Sequence, residues 1–477
     1  MLEKRDFYIN GQWVEPAKAN DLNVINPANE EPCAVISLGD QADTDAAVAA
    51  AKAAFESWAM TPKNERLDLI KALYAEYKNR AGDMAEAISM EMGAPIDMAR
   101  AAQTGAGIWH IKGFIDSFDE IEFESTPWPD TPGEKIYREP IGVCAMITPW
   151  NWPMNQVTLK VIPALAVGCT VVLKPSEESP LSSVIFAEIV DKAGFPKGVF
   201  NMLNGDGVGV GSQLSCHPDV DMVSFTGSTR AGRLITKAAA ETVKRVTLEL
   251  GGKGANIIFA DADEKAVIRG ARQCFANTGQ SCNAPTRMLV ERSRYNEAVE
   301  QAAEVANKTM AGDPAESGRH IGPVVNKLQF DKIQGLIEVG MKEARLVAGG
   351  TGRPEGLNRG YYVRPTVFAD VTNDMTIARE EVFGPVLAMI PFDTEEEAIQ
   401  IANDTVYGLT NYLQTQDPAK AERVARRMRS GMVRINGSDS AHPSPFGGYK
   451  QSGNGREGGV WGLEDFLEVK HVSGLGS

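Results

Sequence analysis

Cys282 has the clearest capacity for covalent chemistry in this sequence. It lies in NTGQSCNAP, just after a helical pattern over residues 263–277, where Gly279 and the small Ser281 leave space around the thiol. A cysteine in a loop at the end of an element is a candidate nucleophile. The same residue type is more often a small buried hydrophobe, so the assignment needs support from the rest of the sequence.

Glu249 could supply a base for the same chemistry. It ends an apolar strand pattern in TLELGGKGAN. If the thiol adds to an aldehyde and hydride leaves for a nicotinamide, the resulting thioester needs water and a general base, which a carboxylate in an apolar setting can supply. An ordinary glutamate at the surface end of a strand would have no such role. A cysteine protease would need a histidine beside the thiol, and the sequence contains five histidines and no local Cys/His signature.

A nucleotide site is indicated by SFTGSTRAG, which predicts a strand, a turn at Gly227 and Ser228, and the start of a helix. This geometry directs backbone N–H groups at a pyrophosphate. The segment lacks the second glycine of GxGxxG, so it does not match the usual dinucleotide fingerprint. GDGVGVGS, with Gly207 and Gly211, is a glycine-rich loop of a kind that is more often a plain turn.

The elements that must position these residues alternate between short apolar strands and helices from GVCAMIT at residue 142 onward. This alternation predicts an α/β fold with a parallel, doubly wound sheet, and a second alternating set from ANIIF predicts a second α/β domain. Residues 122–139 are instead rich in proline, threonine and alternating apolar residues. We expect this extended segment to belong to another layer.

Composition excludes several classes of protein. The chain has 477 residues, of which 43% are hydrophobic, so two or three domains are expected. Its formal net charge of −15 argues against nucleic acid as a partner. We find no secretory signal and no apolar stretch fit to span a bilayer, which predicts a cytoplasmic protein without membrane attachment. The six cysteines form no CxxC pair and the histidines no HxxxH motif, so no metal site is predicted.

Seven segments occur in an order that resembles the aldehyde dehydrogenase superfamily, and the resemblance covers essentially the whole chain. They are PWNWP (149–153), LKPSE (173–177), FTGSTRAG (225–232), LELGGK (248–253), TGQSC (278–282), EEVFGP (380–385) and SPFGGYKQSG (444–453). The resemblance implies oxidation of an aldehyde by NAD, with Cys282 as nucleophile and Glu249 as the base for deacylation. Asn151 would hold the tetrahedral oxygen together with the backbone N–H of Cys282; otherwise it is a turn residue that caps a helix.

The resemblance also implies a cofactor site. Lys174 and Glu177 would bind the adenosine ribose, Ser228 the pyrophosphate, and Glu381 with Phe383 the nicotinamide ribose. Further contacts are expected from Thr148, Trp150, Gly207, Gly211 and Gly227. Because a carboxylate at Glu177 would repel a 2′-phosphate, NAD should be preferred over NADP.

The expected substrate tunnel departs from that of better-known members. Ala276 stands where a phenylalanine is frequent, and Leu159 where a tryptophan is frequent. The remaining tunnel residues are Trp152, Gln156, Ser281, Asn283 and Phe446. These residues predict a roomier and more polar tunnel than one for short aliphatic aldehydes.

Two alternatives remain at this stage. A CoA-acylating semialdehyde dehydrogenase would not need Glu249, and a non-catalytic protein of the same fold would not need Cys282, Glu249 or Asn151. The fold that the resemblance implies has a Rossmann-like cofactor domain (1–119 and 141–250), a catalytic α/β domain (251–450) and a small β element for oligomerisation (120–140 and 460–477). We therefore expect a homodimer or homotetramer.

Overall fold

The structure, a computed structural model, describes residues 1–131 and 133–475. Its helices are, in chain order, α1 Gln41–Ala59, α2 Lys63–Met92, α3 Ile96–Met98, α4 Thr104–Ser117, α5 Pro153–Val167, α6 Leu181–Ala193, α7 Ser212–Cys216, α8 Thr229–Ala239, α9 Ala266–Phe275, α10 Tyr295–Lys308, α11 Lys327–Glu343, α12 Thr376–Arg379, α13 Glu395–Asn403, α14 Pro418–Arg427 and α15 Gly459–Glu464. None of the helices in these ranges has the length and apolar composition needed to cross a bilayer.

The strands are, in chain order, β1 Leu2–Lys4, β2 Phe7–Ile9, β3 Gln12–Val14, β4 Asp21–Asn26, β5 Glu31–Ser37, β6 Glu124–Ser125, β7 Lys135–Pro140, β8 Val143–Ile147, β9 Thr170–Lys174, β10 Phe200–Met202, β11 Met222–Thr226, β12 Arg245–Glu249, β13 Ala255–Ile258, β14 Arg287–Glu291, β15 Arg345–Ala348, β16 Thr366–Ala369, β17 Val386–Phe392, β18 Thr410–Gln414, β19 Met432–Ile435, β20 Gly453–Asn454 and β21 Leu467–Val472. The predicted α/β class is confirmed.

Among the described residues, eight strands form one sheet in the order β20-β12-β11-β8-β9-β10-β2-β3. The five strands from β12 to β10 are parallel, and β8, β9 and β11 are fully buried. Strands buried on both faces explain the continuous apolar runs of the sequence. Because β9 and β10 follow β8 on one side while β11 and β12 lie on the other, the strand order reverses between β8 and β11. Ligands of open α/β sheets bind at such a point, beyond the carboxyl ends of the strands.

A second sheet, of seven strands within the described ranges, has the order β15-β16-β17-β14-β13-β18-β19. Its strands are parallel except for β15, which is antiparallel to β16. Arg287 begins its central strand β14 and is fully buried. Its guanidinium donates to the carbonyl of Lys253 at 3.1 Å and to that of Ala402 at 3.0 Å. This arginine therefore joins the strand after Cys282 to the segment that follows Glu249.

Two smaller sheets complete the architecture of the described ranges. One is β1-β5-β4 near the N-terminus, and the other is the antiparallel sheet β21-β7-β6, which contains the predicted extended segment. Pro132 and residues 476–477 of the predicted oligomerisation element lie outside the described residues. The exposed side chains of this sheet include Val469, which is 67% exposed.

We predict that a second copy of the chain covers the β21-β7-β6 sheet, because an uncovered sheet edge promotes association. Sedimentation velocity should give a dimer or tetramer for the wild type and a smaller species for Val469→Glu. Val243→Glu changes a valine that is 90% exposed outside this sheet and should leave the assembly unchanged. A monomeric wild type at micromolar concentration would contradict the prediction.

Candidate active site

The carboxyl ends of the central parallel strands place the predicted site residues together. Thr148 follows β8, Lys174 ends β9, Gly227 follows β11 by one residue and Glu249 ends β12. Beyond these ends lies a cavity of about 190 Å³. Its lining includes the predicted residues Trp150, Asn151, Gln156, Gly227, Ser228, Cys282, Glu381 and Phe383. Residues more than 200 positions apart in sequence thus face one space.

Cys282 reaches this cavity through a strained turn. Asn277 (φ 51°, ψ 31°) and Thr278 (φ 56°, ψ 32°) both adopt the left-handed conformation, and Gly279 follows at φ 71°. A Cβ on Gly279 would lie 2.1 Å from the carbonyl oxygen of Gly384, so this position requires glycine. The Thr278 hydroxyl donates to the carbonyl of Gly322 at 2.9 Å. These contacts hold the turn that precedes the cysteine.

Asn151 is fixed against the same turn. Its carbonyl accepts from Nδ2 of Asn277 at 3.0 Å and from Nε2 of Gln103 at 3.1 Å. Its own Nδ2 donates to the carbonyl of Gln280 at 3.0 Å, which leaves the second amide hydrogen for another acceptor. Helix α5 starts at the following N-cap, Trp152, without a side-chain cap. Asn151 therefore does not cap α5, and the residue lines the cavity instead.

Glu249 is 4% exposed, and neither carboxylate oxygen has a hydrogen-bond partner among the described residues. Burial is the largest cause that raises its pKa well above the ordinary range, and the charge of Glu457 raises it further. Lys160, which forms a buried ion pair with Glu457, opposes both effects. Glu249 itself is not among the residues that line the cavity, whereas Leu250 and Gly251, which follow it, are. A buried carboxyl without partners is costly for folding.

The Cys282 thiol is half-buried and carries a raised pKa. Burial is the main cause, followed by the charges of Glu249 and Glu381. Because each of these effects disfavours the thiolate, the resting thiol holds its proton at neutral pH. Formation of the nucleophile therefore needs a base or a nearby positive charge.

The predicted adenosine contacts form a second group. Lys174 Nζ donates to the Glu177 carboxylate at 3.1 Å, and the carbonyl of Lys174 accepts from the N–H of Thr148 at 3.2 Å. A Cβ on Gly211 would meet the Lys174 side chain at 4.0 Å, so Gly211 belongs to this group. Gly207 has open space where its Cβ would lie. Thr148, Glu177 and Gly211 thus each lie beside Lys174, whereas no contact of Gly207 with Lys174 is found among the described residues.

Gly227 and Ser228 form the predicted strand-to-helix turn. Ser228 is the N-cap of α8, and its hydroxyl accepts from the N–H of Ala231 at 3.2 Å. A Cβ on Gly227 would lie 2.4 Å from the ring of Phe225. The turn therefore has no side chain at Gly227 and leads into the N-terminus of α8. A phosphate could approach the backbone N–H groups there.

Glu381 and Phe383 form the opposite part of the cavity lining. Glu381 Oε1 accepts from the N–H of Gly252 at 2.9 Å, and Phe383 packs edge-on against Trp150 with ring centroids 5.5 Å apart. Gln329 Nε2 donates to the carbonyl of Phe383 at 2.9 Å, and Lys332 Nζ to that of Glu381 at 2.9 Å.

The cavity lining also contains Gln329, Lys332 and Thr226, which were not predicted from the sequence. The buried hydroxyl of Thr226 has no partner among the described residues. Thr226 could have been found as the last residue of the strand before Gly227. Gln329 and Lys332 lie on α11, which carries no motif of its own.

Only some of the residues predicted for the substrate tunnel lie at the cavity of Cys282. Gln156 lines the cavity of Cys282, and Trp152 Nε1 donates to the Ser281 hydroxyl at 2.8 Å. The carbonyl of Asn283 accepts from the Tyr412 hydroxyl at 2.7 Å, Leu159 is buried, and Phe446 pairs through its backbone with Glu457. Ala276 is exposed and lines a separate cavity of about 460 Å³ with Arg272 and His320.

The raised pKa of Cys282 predicts slow alkylation of the thiol by iodoacetamide at pH 7. The alkylation rate should increase only when the pH exceeds the ordinary thiol pKa of about 8.5. Mass spectrometry of the Cys282 peptide separates this reaction from that of the exposed Cys216. Glu249→Gln removes a nearby negative charge, so the midpoint should move to lower pH, whereas the exposed Glu264→Gln should leave it in place. A wild-type midpoint below 8 would contradict this reading of the site.

Comparisons with known proteins identify the family. The model of the aldehyde dehydrogenase family matches residues 13–472. A 3-succinoylsemialdehyde-pyridine dehydrogenase from a Pseudomonas species is 50% identical over 99% of both chains. An aldehyde dehydrogenase structure from Bartonella henselae is 58% identical, covers 99% of this chain and 100% of its own, and has a TM-score of 0.98.

A structure of aldehyde dehydrogenase C from Pseudomonas syringae, in complex with NAD+ and octanal, is 49% identical over 99% of this chain and 97% of its own, with a TM-score of 0.97. The strand-to-helix turn at Gly227 and Ser228 and the Lys174–Glu177 pair agree with a dinucleotide cofactor. The chain therefore belongs to the aldehyde dehydrogenase family and is an NAD-dependent enzyme that oxidises an aldehyde.

Proposed function

We propose that the enzyme converts its aldehyde to a carboxylic acid through a thioester on Cys282, which water activated by Glu249 then releases. The observation that carries the proposal is that Cys282 and Asn151 line one cavity, and that the buried, unpaired carboxyl of Glu249 is close enough for its charge to raise the pKa of the Cys282 thiol. Each of the three groups has the chemistry that one stage of the reaction needs.

In the first stage, the Cys282 thiol releases its proton to solvent and the sulfur bonds to the aldehyde carbon, whose carbonyl π electrons move to the oxygen and make it an oxyanion. The free N–H of the Asn151 amide and the backbone N–H of Cys282 stabilise this negative charge. The carbon then loses hydride as the carbonyl reforms, which leaves a thioester on Cys282. NAD, when bound, supplies the acceptor for that hydride.

In the second stage, Glu249 removes a proton from a water molecule that attacks the thioester. The carbon–sulfur bond then breaks, the acid leaves, and the Cys282 thiolate takes the proton that Glu249 holds, which regenerates the carboxylate. The raised pKa of Glu249 makes its carboxylate a stronger base than an exposed one, although less of it is ionised at low pH. Deacylation should therefore fail below the raised pKa of Glu249 and recover as the pH rises through it.

Hydrolysis is favoured over the CoA-acylating alternative because an acyl transfer to CoA would need no base for water. Glu249 supports hydrolysis, since a buried carboxyl without hydrogen bonds has no evident structural use in this fold. The presence of all three catalytic groups likewise favours an enzyme over a non-catalytic binding protein.

The test is NADH formation at 340 nm with octanal and NAD, without CoA. Wild type should turn over continuously and Cys282→Ala should form no NADH. Glu249→Gln should form about one equivalent of NADH per site and then stall, because the thioester persists. Glu264→Gln, which changes an exposed glutamate, should behave as wild type. NADH that appears only after addition of CoA would establish the acylating reaction instead.

Glu177 should set the preference for NAD over NADP, because its carboxylate lies beside Lys174 at the expected ribose site. Glu177→Gln removes the repulsion of a 2′-phosphate and should raise kcat/KM for NADP relative to NAD on the order of tenfold. The matched variant Glu178→Gln changes a carboxylate bound by Asn326 and should leave that ratio unchanged. An unchanged ratio in Glu177→Gln would remove Glu177 from this role.

The substrate class is proposed to lie beyond short aliphatic aldehydes. One relative is named for 3-succinoylsemialdehyde-pyridine and a structural neighbour was crystallised with octanal, both larger than such aldehydes. Of the polar residues predicted for the tunnel, Gln156 lines the cavity of Cys282, which supports a polar tunnel. A panel in which acetaldehyde and propanal exceed every larger or polar aldehyde in kcat/KM would contradict this proposal.

A further inference from the structure

Gln156 carries a primary amide that the protein itself does not use. The residue lies on the first turn of α5, is 4% exposed and lines the cavity of Cys282. Its Oε1 is enclosed and has no hydrogen-bond partner among the described residues, and its Nε2 makes no hydrogen bond there either.

The other polar side chains of α5 show how unusual this is. The Thr158 hydroxyl donates to the carbonyl of Met154 at 2.7 Å, and Lys160 pairs with Glu457. An enclosed amide left without a partner costs about 1–3 kcal/mol, whereas a methionine of similar length would fill the same space at no such cost. A polar group that the fold does not need, aimed into the reaction cavity, indicates a ligand.

The position of Gln156 favours the substrate over the cofactor. The predicted nicotinamide and phosphate contacts come from the end of β11 and from residues 381–383. Gln156 instead lies one turn beyond Trp152, with its N–H bound to the carbonyl of that residue at 3.0 Å. The Trp152 indole in turn binds Ser281, the neighbour of Cys282. Gln156 thus belongs to the side of the cavity built around the cysteine.

We propose that Gln156 determines specificity by forming a hydrogen bond with an oxygen atom on the chain of the aldehyde, a few bonds from the reacting carbon. The preferred substrates are then aldehydes that carry a ketone or hydroxyl oxygen at that distance. This inference rests on the proposed function and names the substrate class of the same site. Nε2, the amide atom that is not enclosed, donates to the oxygen of the ketone or of the hydroxyl.

Such a site selects strongly. An enzyme that offers a buried polar group to its substrate discriminates against an analogue that lacks the partner, because the protein group is then left unpaired. Replacement of the amide by an apolar side chain of equal length should abolish the discrimination and still allow the analogue to bind.

The experiment compares 4-oxopentanal with 4-methylpentanal, in which a methyl group replaces the ketone oxygen. Wild type should prefer 4-oxopentanal in kcat/KM, and Gln156→Met should lower that preference by about tenfold or more while the KM for NAD stays the same. Turnover of 4-methylpentanal reports that the variant is folded. Gln301→Met, which makes the same substitution on α10, should retain the wild-type preference.

Two results would overturn the inference while the proposed function stands. One is that wild type and Gln156→Met show the same preference for 4-oxopentanal over 4-methylpentanal. The other is a higher KM for NAD in Gln156→Met than in wild type, which would assign the amide to the nicotinamide. A third result concerns the substrate class. If wild type forms NADH with octanal, Cys282→Ala does not, and wild type oxidises neither 4-oxopentanal nor 4-methylpentanal, the named substrate class is wrong. If wild type forms no NADH with any of the three aldehydes, the proposed function fails as well.

Discussion

The left-handed turn from Asn277 to Gly279 determines where the Cys282 sulfur lies, and the rest of the site is arranged around it. Non-glycine residues at positive φ cost on the order of 1–3 kcal/mol each, so Asn277 and Thr278 keep this conformation only because surrounding groups hold it. The Asn277 amide binds the carbonyl of Asn151, and the Thr278 hydroxyl binds that of Gly322. The turn therefore holds Cys282 and Asn151, the proposed nucleophile and the proposed oxyanion donor, in one arrangement.

The second property of the site is that it brings together acidic groups whose surroundings favour the protonated, neutral form. Burial raises the pKa of Glu249, Glu381 and Cys282, and each negative charge opposes the next. In this environment the thiol keeps its proton until a cation or a base comes near, while a carboxyl becomes a stronger base than it is in water. The same low dielectric that makes these groups costly for folding would make Glu249 a stronger base in the proposed reaction.

The features that were predictable from the sequence are those that depend on a few consecutive residues. The strand, turn and helix around Ser228 are confirmed, because an apolar run followed by Gly and Ser has few other conformations. Contacts made across the fold were not predictable in this way. Lys332 reaches the carbonyl of Glu381 from a helix with no motif, and Ala276 lines a different cavity from that of Cys282 because α9 ends before the turn. The roles of the matched motif residues came from the family resemblance, since spacing alone does not assign them.

The most direct test of the account is to identify the atom that carries the acyl group. Glu249→Gln should be mixed with NAD and octanal, quenched in acid within seconds and digested for mass spectrometry. The Cys282 peptide should gain the mass of octanal less two hydrogens, and hydroxylamine should remove this adduct because it is a thioester. NADH formation with no acyl group on Cys282, or with the adduct on another residue, would contradict the account.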